Sequence, residues 1–190
     1  MFLLLLVAAV SGGCDRDKGD GMYKITISDI EGDVSGVTAV RVNFDLVRSY
    51  TYPFDASGMS FKFPAEVTVA QLTPMSNFFG DLVSDPEAMW GGLYFHAYCG
   101  DTPVGYLQEE VSDDEYRSIV QYSYVDRDVT ITGSVREKER GCDVDLKLRK
   151  GWNRHVVRIP QSSGRPRIDI YTSRIPKGME WKFARHTPNP

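Results

Sequence analysis

The sequence predicts an all-β fold, an antiparallel β-sandwich of the Ig-like or transthyretin-like kind with at most one short helix. Apolar and polar residues alternate with period two over most of the chain, as in strands that bury one face. Turn-forming residues interrupt this alternation about every ten positions. The chain is also long enough to bury a substantial core. An arrangement of two small β subdomains is the alternative.

The N-terminus carries an apolar run over residues 2–10, followed by small residues up to Cys14. The run is too short to cross a bilayer as a helix, and it ends at residues that signal peptidases accept. Small residues directly before a cysteine are similar to the lipobox of bacterial lipoproteins. We therefore expect residues 1–13 to be a lipoprotein signal peptide and Cys14 to carry lipid. A plain secretory signal or a buried N-terminal strand are the alternatives.

The remaining chain is expected to form one main body. Residues 14–22 are charged and contain glycine, which predicts a flexible tether. Residues 23–183 are assigned to the β-sandwich domain, and residues 184–190 to a flexible tail. Residues 74–91 show no clean period and contain several Pro and Gly, so they predict a long connection and the place for an internal boundary.

Alternation assigns the strands in order along the chain. Turns are expected between them, including Lys150-Gly151. One segment competes as a helix, because Ser112 and Glu115 are spaced like a capping box before residues 116–122. The clearest alternating runs are 40–46, 59–63, 93–99, 129–135, 142–149, 168–170 and 179–183.

An odd count of three cysteines fits an oxidising compartment only if one of them is modified. If Cys14 is lipidated, Cys99 and Cys142 are left as an even pair. Each falls on the apolar side of its alternating run, so both are expected to point into the core. They are predicted either to form a disulfide or to remain two buried thiols.

Charge is divided along the chain. Residues 14–126 contain 7 Lys and Arg against 19 Asp and Glu, whereas residues 127–190 contain 15 against 7. The division predicts two halves that pack together or carry solvated strand faces. A basic face for anionic partners such as lipopolysaccharide or acidic glycans is the alternative. The acidic total of an exported chain argues against nucleic acid as a partner.

Catalytic and metal motifs are sparse. The three histidines, His96, His155 and His186, stand near no G-x-S-x-G elbow, which disfavours a hydrolase. Asp29 begins an acidic series spaced like a calcium loop, but Val34 stands where that loop needs glycine. We therefore predict no catalytic residue, no metal site and no cofactor.

Aromatic residues are the remaining candidates for binding. Tyr94, His96 and Tyr98 lie on the polar side of one predicted strand, where they could stack against sugar rings. Tyr122 and Tyr124 could join them. The alternative is ordinary cross-strand packing of aromatic side chains.

Three segments of the second half resemble known sequences. Residues 145–153 (DLKLRKGWN), 175–183 (IPKGMEWKF) and 122–133 (YSYVDRDVTITG) resemble the C-terminal half of uncharacterised Bacteroidota lipoproteins, which carry an L-K-K-G-W-N hairpin and a P-x-G-x-x-W-x-F ending. The resemblance implies an envelope location and a β-rich fold, and it brings no activity. Within the hairpin, Gly151 is expected to take a positive φ, and Asn153 to bond local backbone groups.

Trp152 in the same hairpin is expected to cover the end of the sheet as a packing residue. Stacking of Trp152 on a ligand is the alternative.

These observations favour an outer-membrane lipoprotein of the cell envelope, periplasmic or surface-exposed, that serves as a non-catalytic binding or assembly module. The membrane through the lipid, and a glycan or an envelope protein, are the expected partners. A structural or accessory subunit of a surface appendage, similar to fimbrillins, is the alternative. A glycan-active enzyme is the third hypothesis.

Overall fold

The computed structural model describes residues 22–44, 48–162 and 166–186. The predicted signal peptide, Cys14, nearly all of the tether and residues 187–190 of the tail lie outside this part. Thirteen strands are found within the described residues. They are β1 (Met22–Ile27), β2 (Ala39–Phe44), β3 (Arg48–Pro53), β4 (Met59–Pro64), β5 (Thr73–Pro74), β6 (Met89–Cys99), β7 (Thr102–Ser112), β8 (Tyr116–Val125), β9 (Val129–Arg136), β10 (Arg140–Leu148), β11 (Gly151–Pro160), β12 (Arg167–Thr172) and β13 (Glu180–Arg185).

The predicted fold class is confirmed, because the chain is mostly β with one short helix and open sheets. The helix α1 (Ser76–Phe79) and two 3₁₀ turns, Val69–Gln71 and Gly80–Leu82, complete the described elements. Every alternating run named above lies wholly or largely in a strand. The last strand continues to Arg185 and so includes the first two residues of the predicted tail.

Two sheets face each other across a hydrophobic core that includes Tyr23, Phe61 and Phe95, which we call the first core. Strands β1 and β4 form a two-stranded antiparallel sheet that packs on the large sheet. Aromatic side chains make the contact: Tyr23 stacks on Trp152 with ring centroids 5.2 Å apart, and Phe61 meets Phe95 at 5.5 Å. Aromatic pairs at such distances add specific geometry to the burial of apolar area.

The large sheet has the strand order β3-β2-β6-β7-β8-β11-β12-β10-β9, with β13 beside β7 and β5 beside β6. Its pairs are antiparallel except for β10 and β12, which run parallel in register from Arg140 with Arg167 to Asp145 with Thr172. The parallel pair departs from the purely antiparallel prediction. Strands β10 and β11 are consecutive in the sequence, but β12 lies between them in the sheet. The parallel pair of β10 and β12 arises from this insertion.

The second core lies beneath the predicted long connection. Met75, Phe79 and Val83 of that connection pack against apolar side chains of β9 and β10, including Ile131 and Leu146. Met75 and Ile131 are fully buried, so the connection over 74–91 is part of the folded body.

Residues 116–122, the segment that competes as a short helix in the sequence, form no helix. Tyr116–Val125 is strand β8, and Asp113 closes the turn that joins it to β7. The Asp113 carboxylate accepts hydrogen bonds from the backbone amides of Glu115 at 2.9 Å and Tyr116 at 2.7 Å. An Asp that accepts from amides two and three residues later closes a turn as readily as it caps a helix, and the β-branched and aromatic residues of β8 favour a strand.

The turn at Gly151 is confirmed, and so is the role of its neighbours. Gly151 has a φ of +101°. The Asn153 side chain accepts from the amide of Arg149 at 2.9 Å and donates to the carbonyls of Arg149 and Gly151. Because β12 separates β10 from β11, the turn is a corner between two parts of the sheet and not a paired hairpin.

Trp152 is a packing residue, as expected. It packs among aromatic rings of the first core and donates its indole N–H to the carbonyl of Pro64 at 2.8 Å.

Opposite charges of the two halves meet in the fold. Five basic side chains of the second half pair with carboxylates of the acidic half. They are Arg127, Arg154, Arg158, Lys182 and Arg185. The charge division therefore corresponds to contacts between the halves.

Candidate functional site

A gap in the large sheet lies where β6, β7 and β8 meet. β6 pairs with β8 up to Leu93 and with β7 from Phe95 onward, while β7 and β8 pair from Glu110 onward. These three pairings enclose a gap, and a cavity of about 190 Å³ occupies it. Because the gap interrupts the sheet, side chains from both faces line the cavity.

The mouth of the cavity lies on the outer face of the sheet. Its side chains alternate along their strands with buried residues such as Phe95 and Leu107. Tyr94 is 48% exposed, which is unusual for a large aromatic residue in the middle of a sheet. Aromatic rings and amide groups thus stand together at one opening. The mouth residues are Tyr94, His96, Tyr106, Gln108 and Gln121.

The floor of the cavity contains a buried carboxylate. Glu109 is only 8% exposed, pairs with the guanidinium of Arg154, and accepts a hydrogen bond from the hydroxyl of Tyr122. The Tyr122 ring stacks on Trp181, with centroids 6.0 Å apart and planes 9° from parallel. A buried charge persists only when it is paired in this way.

Arg117 fixes one side of the mouth. Its guanidinium donates to the side-chain oxygen of Gln108 at 2.7 Å and to Glu110 at 2.8 Å. Burial alone would lower the pKa of Arg117, but the hydrogen bond and the charge of Glu110 outweigh it and raise the pKa. Gln108 is therefore held with its oxygen toward Arg117, so its amide N–H groups are directed away from Arg117.

His96 is neutral at neutral pH. Burial lowers its pKa, and the nearby His186 lowers it further. His186 also contacts the ring of Tyr106, with centroids 5.8 Å apart. A neutral imidazole offers one donor and one acceptor, which suits hydrogen bonding to a hydroxyl group.

The structure separates the predicted aromatic set. Tyr94 and His96 line the cavity, whereas the ring of Tyr98 is covered by the guanidinium of Arg41 at 4.1 Å. Tyr122 and Tyr124 do not join the outer face, because both are buried on the core side of β8. Tyr122 reaches the cavity from below as part of the floor.

The predicted cysteine positions need correction. Both cysteines are free thiols, and Cys99 is exposed. Burial alternates along β6 as far as Ala97, but Cys99 ends the strand directly before the turn, where residues 99–103 are all exposed. Cys142 is half-buried at the edge of the second core, and burial raises its pKa.

The structure also brings together a serine and a histidine that the sequence did not pair. The Ser123 hydroxyl lies 3.4 Å from Nδ1 of His155, and the two residues are 1% and 2% exposed. Burial lowers the pKa of His155 to about 4. Both side chains are buried, and His155 lies opposite the mouth residue Gln121 in the register of β8 and β11.

Sequence reasoning missed Tyr106, Gln108, Glu109 and Gln121. A signal for Glu109 was present, because it falls on the apolar side of β7 beside Leu107, where a carboxylate must have a partner. The two glutamines carried no signal, since their meeting depends on the register of three strands.

The described lining of the cavity contains a single carboxylate. Glycoside hydrolysis ordinarily uses two carboxylates, and Glu109 is the one carboxylate among the described residues that line the cavity. It is already engaged by Arg154 and Tyr122. In the described ranges, no three His, Cys, Asp or Glu side chains are grouped to hold a metal ion, and no helix has the length and apolarity to span a bilayer.

Comparison with known proteins yields no relative. No family model, curated protein or solved structure matches the chain.

Proposed function

We propose that the protein is a non-catalytic, carbohydrate-binding module of the cell envelope and that the cavity between β6, β7 and β8 is its ligand site. The observation that carries the proposal is the combination of exposed Tyr94 with half-buried aromatic and amide side chains around one preformed opening. Binding sites are typically concave, mostly apolar and equipped with a few well-placed polar groups.

The chemistry of the mouth suits a sugar. The C–H face of a sugar ring packs against an aromatic ring such as Tyr94 or Tyr106, which loses little conformational entropy on binding. Sugar hydroxyls are both donors and acceptors, and Gln121, Gln108 and neutral His96 offer both kinds of partner. The five mouth side chains are uncharged when His96 is neutral, so such a ligand needs no charge of its own.

The location is part of the same proposal. Residues 2–14 support a lipid on Cys14, which would hold the module at a membrane of the envelope. The expected relation of residues 145–153 and 175–183 to Bacteroidota lipoproteins is also part of this proposal.

A glycan array that contains neutral and acidic oligosaccharides tests the binding. Wild-type protein is expected to bind a defined subset of glycans. Tyr94→Ala and Tyr106→Ala are expected to weaken binding about tenfold or more, because each removes a stacking surface. Tyr98→Ala is the matched control, since Tyr98 lies on the same face of β6 but is covered by Arg41.

Two results would overturn this proposal. One is the absence of binding to any glycan on the array. The other is an equal loss of binding in all three variants, with melting temperatures that fall together.

A subunit of a surface appendage is the second candidate, and one strand favours it. β13 pairs with β7 over six residues at an edge of the large sheet and inserts Trp181 and Phe183 into the first core. A strand of this kind can be supplied by another copy of the chain. Light scattering and the binding of a labelled peptide of residues 179–186 distinguish the candidates. Concentration-dependent oligomers that incorporate the peptide would favour the appendage subunit. A stable monomer would argue against it.

A further inference from the structure

The size of the cavity limits what it can hold. Its volume is about 190 Å³. Pockets for drug-sized ligands span roughly 300–1,000 Å³, and a cavity of roughly 150 Å³ holds one benzene ring. The cavity between β6, β7 and β8 therefore has room for one six-membered ring and not for two.

The floor determines how a ring can enter. Phe95, Tyr122 and Trp181 at the floor are each less than a tenth exposed, and Phe61 of the opposite sheet packs beneath Phe95. The cavity thus ends inside the core instead of passing through the sheet. A polymer cannot thread through it, so an internal residue of a long glycan could not occupy it with chain leaving on both sides.

The floor also offers a specific partner. Among the contacts of the described residues, the Glu109 carboxylate accepts a hydrogen bond from Tyr122 and a charged contact from Arg154. A carboxylate has about four acceptor positions, so capacity remains for a hydroxyl group. A hydroxyl that reaches this depth must belong to the ring inside the cavity.

We propose that the cavity binds the terminal residue of a glycan, so that the module recognises chain ends and not chain interiors. The inference rests on the proposed carbohydrate binding. The terminal ring lies between the mouth and Glu109, and the rest of the glycan leaves past Tyr94 and Tyr106. Affinity then depends on the terminal sugar and changes little with chain length.

Competition with single sugars tests the proposal. The glycan with the strongest array signal is competed with the methyl glycoside of its terminal residue and with longer oligosaccharides of the same linkage. The methyl glycoside is expected to bind within about tenfold of the full glycan. If only oligosaccharides compete, and more strongly as they lengthen, chain-end recognition is wrong while carbohydrate binding stands. If no glycan binds, both proposals fail.

A substitution that fills the mouth gives a second measurement. Gln121→Trp places a large side chain at the opening and is expected to abolish binding of both the methyl glycoside and the full glycan. Tyr98→Trp, on the same face but away from the cavity, is the matched control and is expected to bind normally. Unchanged binding by a folded Gln121→Trp variant would overturn the proposal.

Discussion

The Arg154 guanidinium and the Glu109 carboxylate meet beneath the cavity as a buried ion pair, although they lie 45 residues apart in the sequence. Arg154 comes from the basic half of the chain and Glu109 from the acidic half. Their side chains are 15% and 10% exposed, so neither charge is well solvated. This ion pair therefore both joins the two halves of the chain and forms the inner end of the candidate ligand site.

Removal of one partner should destabilise the protein strongly. Glu109→Gln leaves the Arg154 charge without its partner, and we expect the free energy of unfolding to fall by about 3 kcal/mol. The double variant Glu109→Gln/Arg154→Met should recover part of this loss, because it removes both charges. Urea denaturation of Glu109→Gln, Arg154→Met and the double variant, each against wild type, measures the coupling.

An exposed ion pair is the control for this cycle. Arg149 and Asp128 are 86% and 59% exposed, and their replacement by Gln and Asn should leave the unfolding midpoint unchanged. If the buried and the exposed cycles give the same small coupling, the assigned role of the Arg154–Glu109 pair is wrong.

His155 should make the protein sensitive to mild acid. Its pKa is about 4 in the folded protein against an ordinary 6.5, so the unfolded state binds the additional proton between these values. The free energy of unfolding should then fall by roughly 3 kcal/mol as the pH decreases from 6.5 to 4. Below pH 4 this histidine should cause no further decrease. Unfolding measured across this range gives the curve.

The His155→Gln variant isolates the contribution of the histidine. Aspartates such as Asp113 and Asp143, whose pKa values are lowered by hydrogen bonds, lose their stabilising charge at lower pH. The difference between wild type and variant should therefore depend on pH between 4 and 6.5. Parallel curves for the two proteins would contradict a buried neutral His155.

Asn153 should be essential to the corner after β10. Asn153→Ala removes three hydrogen bonds to the backbone of Arg149 and Gly151, and we expect a loss of about 2 kcal/mol in the free energy of unfolding. Lys147→Ala, an exposed position on β10, is the control and should change little. Equal stability of both variants would show that the side chain of Asn153 does not hold the turn.

Thiol labelling should distinguish the two cysteines. In a Cys14→Ala background, a maleimide should react quickly with exposed Cys99 and slowly with half-buried Cys142, whose pKa is raised by burial. Both should react after denaturation. Thiols that react only after reduction would instead indicate a disulfide.

The sequence predicted the strands well, because alternation with period two depends only on which face of a strand is buried. The corner at Gly151 was equally predictable from the sequence, because the positive φ and the Asn153 hydrogen bonds are local. Asp113 shows the limit of local reasoning, because its hydrogen bonds to following amides suit a turn as well as a helix cap.

The neighbours of each strand could not be derived in this way. Alternation gives no information about the parallel pairing of β10 with β12, nor about the gap between β6, β7 and β8. Tyr94 and His96 were identified from their own strand, but Gln108, Gln121 and Glu109 join them only through the register of the other two strands. The part of the candidate site on β6 was therefore predictable, and the part on β7 and β8 depends on tertiary structure.

Indole N–H signals in an NMR spectrum test the central claim most directly. Trp181 lies at the floor of the cavity, whereas Trp152 donates its N–H to Pro64 away from it. When the glycan with the strongest array signal is added, the Trp181 signal and the side-chain amides of Gln108 and Gln121 should shift, and the Trp152 signal should stay in place. Shifts at Trp152 with none at Trp181 would contradict the assignment of the cavity as the ligand site.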